Sequence, residues 1–178
     1  MNPAKGQLIF QRYLAALTLT AVAILLGGCG HYQLGRDAEP PFRSIYIQPA
    51  INESFAPQAQ ALLTSQIREA FIHDGLLEVS NEREADAVLE VVLKRFDRRV
   101  AATRTSDTGL AEKLRLELVA ECTLSDNRLG KTYFKKREIR ASADSFPQES
   151  SAGAEHQTMP VLTGNLAKRI AYEVLQVW

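Results

Sequence analysis

The sequence predicts an α+β fold: two amphipathic helices packed on one face of a mostly antiparallel sheet of four to five strands. Three observations carry that expectation. Two segments, residues 58–74 and 156–177, repeat their apolar positions every three or four residues, as one buried helix stripe requires. A central stretch, residues 87–143, instead alternates apolar and polar residues, as strands with one covered face do. The order is strand, helix, strand run, helix. Helices segregated from a strand run form a layer over one sheet face.

Ile45-Tyr46-Ile47, closed by Pro49, reads as a short first strand, with Asn52 to Pro57 as the turn that follows. Gln58 to Asp74 places Ala59, Leu62, Leu63, Ile67, Ala70 and Phe71 on one helix stripe that Gln66 interrupts, and Asp74-Gly75 ends it. Leu76 to Val79 is a brief strand. In Ala87 to Val100, Leu89, Val91 and Leu93 share one face and Glu90 and Lys94 the other. Thr103 to Gly109 reads as a polar loop. Lys113 to Ser125 has the clearest period of two: Leu114, Leu116, Leu118, Ala120, Cys122 and Leu124 face one way, with Val119 the exception on the polar side. Asp126 to Gly130 has the composition of a hairpin turn, and Lys131 to Ala143 returns as a further strand. Ser145 to Gly153 is a loop. The last helix, His156 to Val177, carries its stripe on Met159, Leu162, Leu166, Ile170, Val174 and Val177. The hairpin strands are long enough for their tips to extend past the helices.

The N-terminus has a different character. Residues 1–12 contain Lys5 and Arg12 and no acid, and Tyr13 to Leu26 then run apolar apart from Thr18 and Thr20. Leu26-Gly27-Gly28-Cys29 follows: small residues before a cut, then a cysteine. The apolar run is shorter than the roughly 20 residues that span a bilayer as helix. The pattern resembles a bacterial lipobox, in which the cysteine is lipidated and becomes the mature N-terminus. Residues 1–28 are therefore expected to be a signal peptide, residues 29–42 a lipidated tether containing Gly35, Pro40 and Pro41, and residues 43–178 a single α+β domain. Each buried acyl methylene contributes about 0.8 kcal/mol, so two or three chains anchor such a protein firmly. Gly30, where lipoproteins retained in the inner membrane of enteric bacteria typically have aspartate, favours the outer membrane.

Without its signal the chain keeps 150 residues, with 19 basic against 21 acidic. That balance gives no global attraction to nucleic acid, so any basic site must be local. Lipidation of Cys29 leaves Cys122 alone and expected in the core. His31, His73 and His156 are too far apart to share a metal, and no phosphate loop, nucleophile elbow or zinc-protease motif is present, so neither catalytic residues, metal nor cofactor are expected. Acids such as Glu82 and Glu84, or Asp86 and Glu90, read as solvated charges. Two basic clusters remain. Lys94, Arg95, Arg98, Arg99 and Arg104 lie along one strand; Lys131, Lys135, Lys136, Arg137 and Arg140 lie along the hairpin's return strand. On neighbouring strands they would converge and suit a phosphorylated ligand. A solvated face that protects edge strands is the competing reading.

Cys29-Gly30-His31-Tyr32-Gln33-Leu34, Ile45-Tyr46-Ile47-Gln48-Pro49-Ala50-Ile51-Asn52 and Ala85-Asp86-Ala87-Val88-Leu89-Glu90 together resemble, in this order behind a lipobox, the lipopolysaccharide-assembly lipoprotein family (LptE). The resemblance implies a non-enzymatic lipoprotein on the periplasmic side of the outer membrane. It would form a complex with the β-barrel LptD, as plug, assembly partner and lipopolysaccharide-binding module. Lys94, Arg98, Arg99, Lys135, Lys136 and Arg137 would then be the candidate contacts to lipopolysaccharide phosphates. The alternative is a structural or assembly lipoprotein that binds another envelope protein or peptidoglycan.

Overall fold

The computed structural model describes residues 41–104, 107–146 and 151–177. The expected signal segment, Cys29, His31 and most of the expected tether lie outside them. Six strands and two helices follow in chain order: β1 (Ser44–Ile47), β2 (Ile51–Asn52), α1 (Ala59–Asp74), β3 (Glu78–Val79), β4 (Ala87–Arg104), β5 (Asp107–Asp126), β6 (Thr132–Ser145) and α2 (Ser151–Leu175). The sheet runs β3-β1-β4-β5-β6, with β2 also pairing β4.

The α+β class and the two helices are as expected, but the sheet is mixed and has six strands. β4, β5 and β6 form the antiparallel meander. The three short strands pair in parallel: β1 with β3 and β4, and β2 with β4. A run of two residues such as Ile51-Asn52 has no period to detect, so it reads from sequence as part of the following turn. The expected loop at 103–109 is also corrected: β4 continues to Arg104 and β5 starts at Asp107.

The covered face is built as the apolar period dictates. Leu114, Leu116, Leu118, Ala120, Cys122 and Leu124 of β5 are buried, with Leu89, Val91 and Leu93 of β4 beside them. Leu63, Ile67 and Phe71 of α1, and Met159, Leu162, Leu166, Ile170 and Val174 of α2, close over them in one core. Fully burying each such side chain contributes about 1.5–3 kcal/mol. Gln66, the break in the α1 stripe, spans to α2: its Nε2 donates to Pro160 O at 2.9 Å. Gly75 ends α1 at φ 74°, and its N–H donates to Phe71 O at 3.0 Å. At roughly 3.3 Å per residue, β4 and β5 run about 60 Å, against about 37 Å for α2 at 1.5 Å per residue. β6 accompanies β5 only as far as Leu114↔Ser145, so the β4–β5 ribbon continues beyond it alone.

Several register shifts interrupt the long strands, and two of them, within the part that the helices cover, re-aim the basic residues. Between Leu93↔Ala120 and Arg95↔Val119, β4 has one extra residue, Lys94. Before it odd residues face the helices; after it Phe96, Arg98 and Val100 do, and Arg95, Asp97 and Arg99 turn to the open face. Between Cys122↔Arg137 and Leu124↔Phe134, β6 likewise has one extra residue, so Lys135 and Lys136 together oppose Thr123. Lys136 adopts φ 50°, and its N–H donates to Thr123 Oγ1 at 3.2 Å. Val119 is buried on the open face between Arg95 and Arg140 in register, where long side chains can close over a small one.

Asp86 fixes one end of the sheet. Its Oδ2 accepts from Arg43 N–H (3.1 Å), Ser44 N–H (3.2 Å) and Ser44 Oγ (3.0 Å), and its Oδ1 pairs with Arg128 at 2.8 Å. Its carbonyl accepts from Asn127 N–H at 2.7 Å. One carboxylate thus ties the entry of β1, the start of β4 and the β5–β6 turn. The Arg43 amide is the main reason its carboxyl lies below the usual range. Replacing Asp86 by Ala is expected to cost about 1–2 kcal/mol, read from urea unfolding, because the part-buried Ser44 amide and hydroxyl and the exposed Arg43 amide lose a charged acceptor. The pH dependence has a definite sign. A lowered folded value gives stabilisation that is complete above the unfolded value of about 3.9 and lost as pH falls through the folded value. The wild type should therefore lose stability on acidification below about pH 4, with a shallower loss in Asp86→Asn.

Candidate functional site

No nucleophile is available at the one described thiol. Cys122 is fully buried under the helices, and burial, with Glu173 nearby, pushes its thiol up to about 12. It stays protonated and unreactive. Among the described residues no group of three His, Cys, Asp or Glu could hold a metal ion. His73 and His156 are exposed, as are Glu82 and Glu84, whereas Asp86 is the structural clamp. A groove of about 620 Å³ separates the outer faces of α1 and α2, edged by Glu69, His73, Asp74, Lys168 and Tyr172. No helix of the described residues is long and apolar enough to cross a membrane.

The two basic clusters do not merge. β5 lies between β4 and β6, so the bases are not on neighbouring strands, and the bulges divide each cluster between faces. Lys94 is engaged by Glu53, whose hydrogen bond raises the Lys94 value. Arg98 faces the helices, where its Nε donates to Glu155 Oε1 at 3.1 Å. Arg137 also lies on that side, pairing with Glu173 at 2.9 Å and stacking 4.3 Å from the centre of the Phe134 ring. Arg99 sits on the open face opposite Arg115.

That open face carries both signs in alternating rows. Glu121 meets Glu138, and Arg95 and Arg140 flank Val119. Arg95 bonds Asp97 at 2.7 Å, Arg140 pairs with Glu138, and Asp144 accepts from Lys113 (2.7 Å) and Arg115 (3.1 Å). These donors, Lys113 first, hold the Asp144 carboxyl low. Surface pairs of this kind add little stability, but they occupy the cations. Of the six candidate bases, only Arg99, Lys135 and Lys136 have no acid partner among the described residues, and the two lysines are exposed together on the β6 bulge.

Two features escaped the sequence. One is the Asp86 clamp: Asp86, expected to be a solvated charge, instead accepts from Arg43 and Ser44 and pairs with Arg128. The other is Asn52, whose Oδ1 accepts from Ser54 N–H (2.9 Å) and Ser54 Oγ (2.7 Å) and whose Nδ2 donates to Ala56 O (3.0 Å). This side-chain turn holds Phe55 outward, 90% exposed. The parity of the apolar residues could have located the bulges at Lys94 and at Lys135–Lys136: Leu93 to Phe96 and Phe134 to Ile139 are odd steps within strands of period two.

The model of the lipopolysaccharide-assembly family LptE matches residues 42–176, nearly all of the described domain. The chain belongs to the LptE family. LptE proteins are envelope lipoproteins of lipopolysaccharide transport, not enzymes. The same fold occurs in a Xanthomonas campestris protein (TM-score 0.54, 12% identity, covering 77% of this chain and 89% of that one). It also occurs in lipoprotein B from Nitrosomonas europaea (TM-score 0.51, 18% identity, covering 83% and 88%). No curated protein gives a significant match.

The buried thiol of this LptE protein should resist a maleimide at pH 8 in the native state and react once urea unfolds the domain. Fast labelling of the native protein at Cys122 would contradict its placement in the core.

Proposed function

We propose that this LptE-family protein is an outer-membrane lipoprotein, cut after residue 28 and lipidated at Cys29, that acts at the periplasmic side of the membrane. It forms a complex with the LptD β-barrel as plug and assembly partner, and binds lipopolysaccharide on its way to the outer leaflet. The observation that carries this reading is the family match across residues 42–176. The lipobox before Cys29 supplies the anchor.

Within the domain, Lys135 and Lys136 are the bases best suited to the phosphates of lipopolysaccharide. They are exposed and adjacent on a bulged edge and have no acid to displace among the described residues. Arg99 is the third base free of an acid among the described residues. Lys94, Arg98 and Arg137 would contribute only by exchanging Glu53, Glu155 and Glu173 for phosphate, which offsets most of the gain. The bidentate geometry of arginine favours phosphate in such an exchange, and Arg137 is already oriented by the Phe134 ring.

The test is lipopolysaccharide binding by the full-length protein in detergent. Lys135→Ala with Lys136→Ala should weaken binding about tenfold, the equivalent of roughly 1.4 kcal/mol for two exposed charge-assisted contacts, at an unchanged unfolding temperature. Lys94→Ala should leave binding within about twofold, because that ammonium is already taken. Unchanged binding in the double variant would reassign the bulge lysines to a solvated edge.

A further inference from the structure

The two outer edges of the meander are treated differently. On β6, α2 reaches over the edge: Arg169 Nη1 donates to Arg140 O at 2.9 Å and Asn165 Nδ2 to Ser142 O at 3.3 Å. The carbonyls a strand would need are already used there. On β4 the outer side is occupied by β1 at residues 87–89 and by β2 at Val92 and Leu93. The last backbone bond on that side is Glu53 N–H to Leu93 O, at 2.9 Å. There the chain turns away through the Asn52-held loop that carries Phe55. From Arg95 onward β4 pairs only with β5 among the described residues, so every second N–H and C=O along it points outward without a strand to receive it.

We propose that the outer edge of β4 from Arg95 to Ala101 accepts an extended segment of a partner protein, one that alternates apolar and acidic residues. The chemistry follows from the register after the Lys94 bulge. On the helix side the edge presents Phe96, half-buried against the core, and Val100, 60% exposed, with Arg98 between them already paired to Glu155. On the open side it presents Arg95 and Arg99, with Asp97 between them. A strand laid alongside puts its side chains on the same two faces in alternation, so apolar residues meet Phe96 and Val100, one carboxylate meets Arg99, which has no acid partner among the described residues, and another shares Arg95 with Asp97. A second copy fits poorly, because two β4 edges would bring arginines against arginines. A lipid cannot satisfy a row of backbone donors and acceptors, whereas a strand satisfies all of them. This site differs in edge, chemistry and partner from the bulge lysines of β6 and does not depend on the lipopolysaccharide reading.

The test uses the full-length protein in detergent with a short peptide alternating valine and glutamate, and a counterpart alternating valine and lysine. Amide hydrogen exchange is followed along β4 and β6. The glutamate peptide should slow the outward amides between Arg95 and Ala101 by about tenfold or more at saturation, and leave β6 unchanged. Arg95→Glu with Arg99→Glu should weaken that peptide about tenfold, with the native circular dichroism spectrum retained. Should that variant not fold, the lysine peptide decides alone: weaker protection supports the proposal and equal protection overturns it. Absence of protection by the glutamate peptide also overturns it. So does protection that rises with protein concentration without any peptide, since a second copy would then cover the edge.

Discussion

Burial of a single sheet face under two helices is the constraint on which the rest of this domain depends. The β4–β5–β6 meander can exclude water on the side that α1 and α2 cover, so most of its apolar residues must reach that side, Val88 and Val119 being the buried exceptions on the other. Where a strand's apolar positions fall out of step, the backbone corrects them by inserting a residue. Lys94 does this on β4, and the Lys135–Lys136 pair does it on β6. The unusual φ of Lys136 follows from the same requirement: it keeps Phe134 and Ile139 both buried.

That correction also sorts the charges. Residues beyond each bulge exchange faces, so basic runs that look continuous in the sequence are divided. Arg98 and Arg137 turn toward α2 and meet Glu155 and Glu173. Arg95 and Arg140 enter an open face where acids of neighbouring rows neutralise them. The lysines of the β6 bulge belong fully to neither face, which is why they have no acid partner among the described residues. The packing that secures the core thereby leaves exposed cations at the sheet margin, where a phosphorylated lipid could reach them.

Much of this was legible in the sequence. The stripes on α1 and α2, the alternation of β5, the hairpin turn before Gly130 and the core position of Cys122 rest on side-chain periods, and periods survive without knowledge of tertiary contacts. Strand β2 was not legible, because two residues cannot display a period; β3 was expected within Leu76 to Val79, but the parallel pairing of β1 with β3 and of β2 with β4 was not, since it joins distant parts of the chain. The convergence of the basic clusters was misjudged for a related reason. Sequence adjacency of β5 and β6 was visible, but the placement of β5 between both clusters is a property of topology. The role of Asp86 lay equally out of reach, since its partners Ser44 and Arg128 are each some forty residues away. Ala85-Asp86-Ala87 was visible as a resemblance; its physical reason is a carboxylate that binds three chain segments at one point.

The most direct test of the functional account is to extract the lipidated full-length protein from bacterial envelopes in mild detergent and identify what accompanies it. Recovery of a large outer-membrane β-barrel together with lipopolysaccharide is the expected result. Isolation of the protein with neither, from membranes that continue to export lipopolysaccharide when it is depleted, would contradict the account.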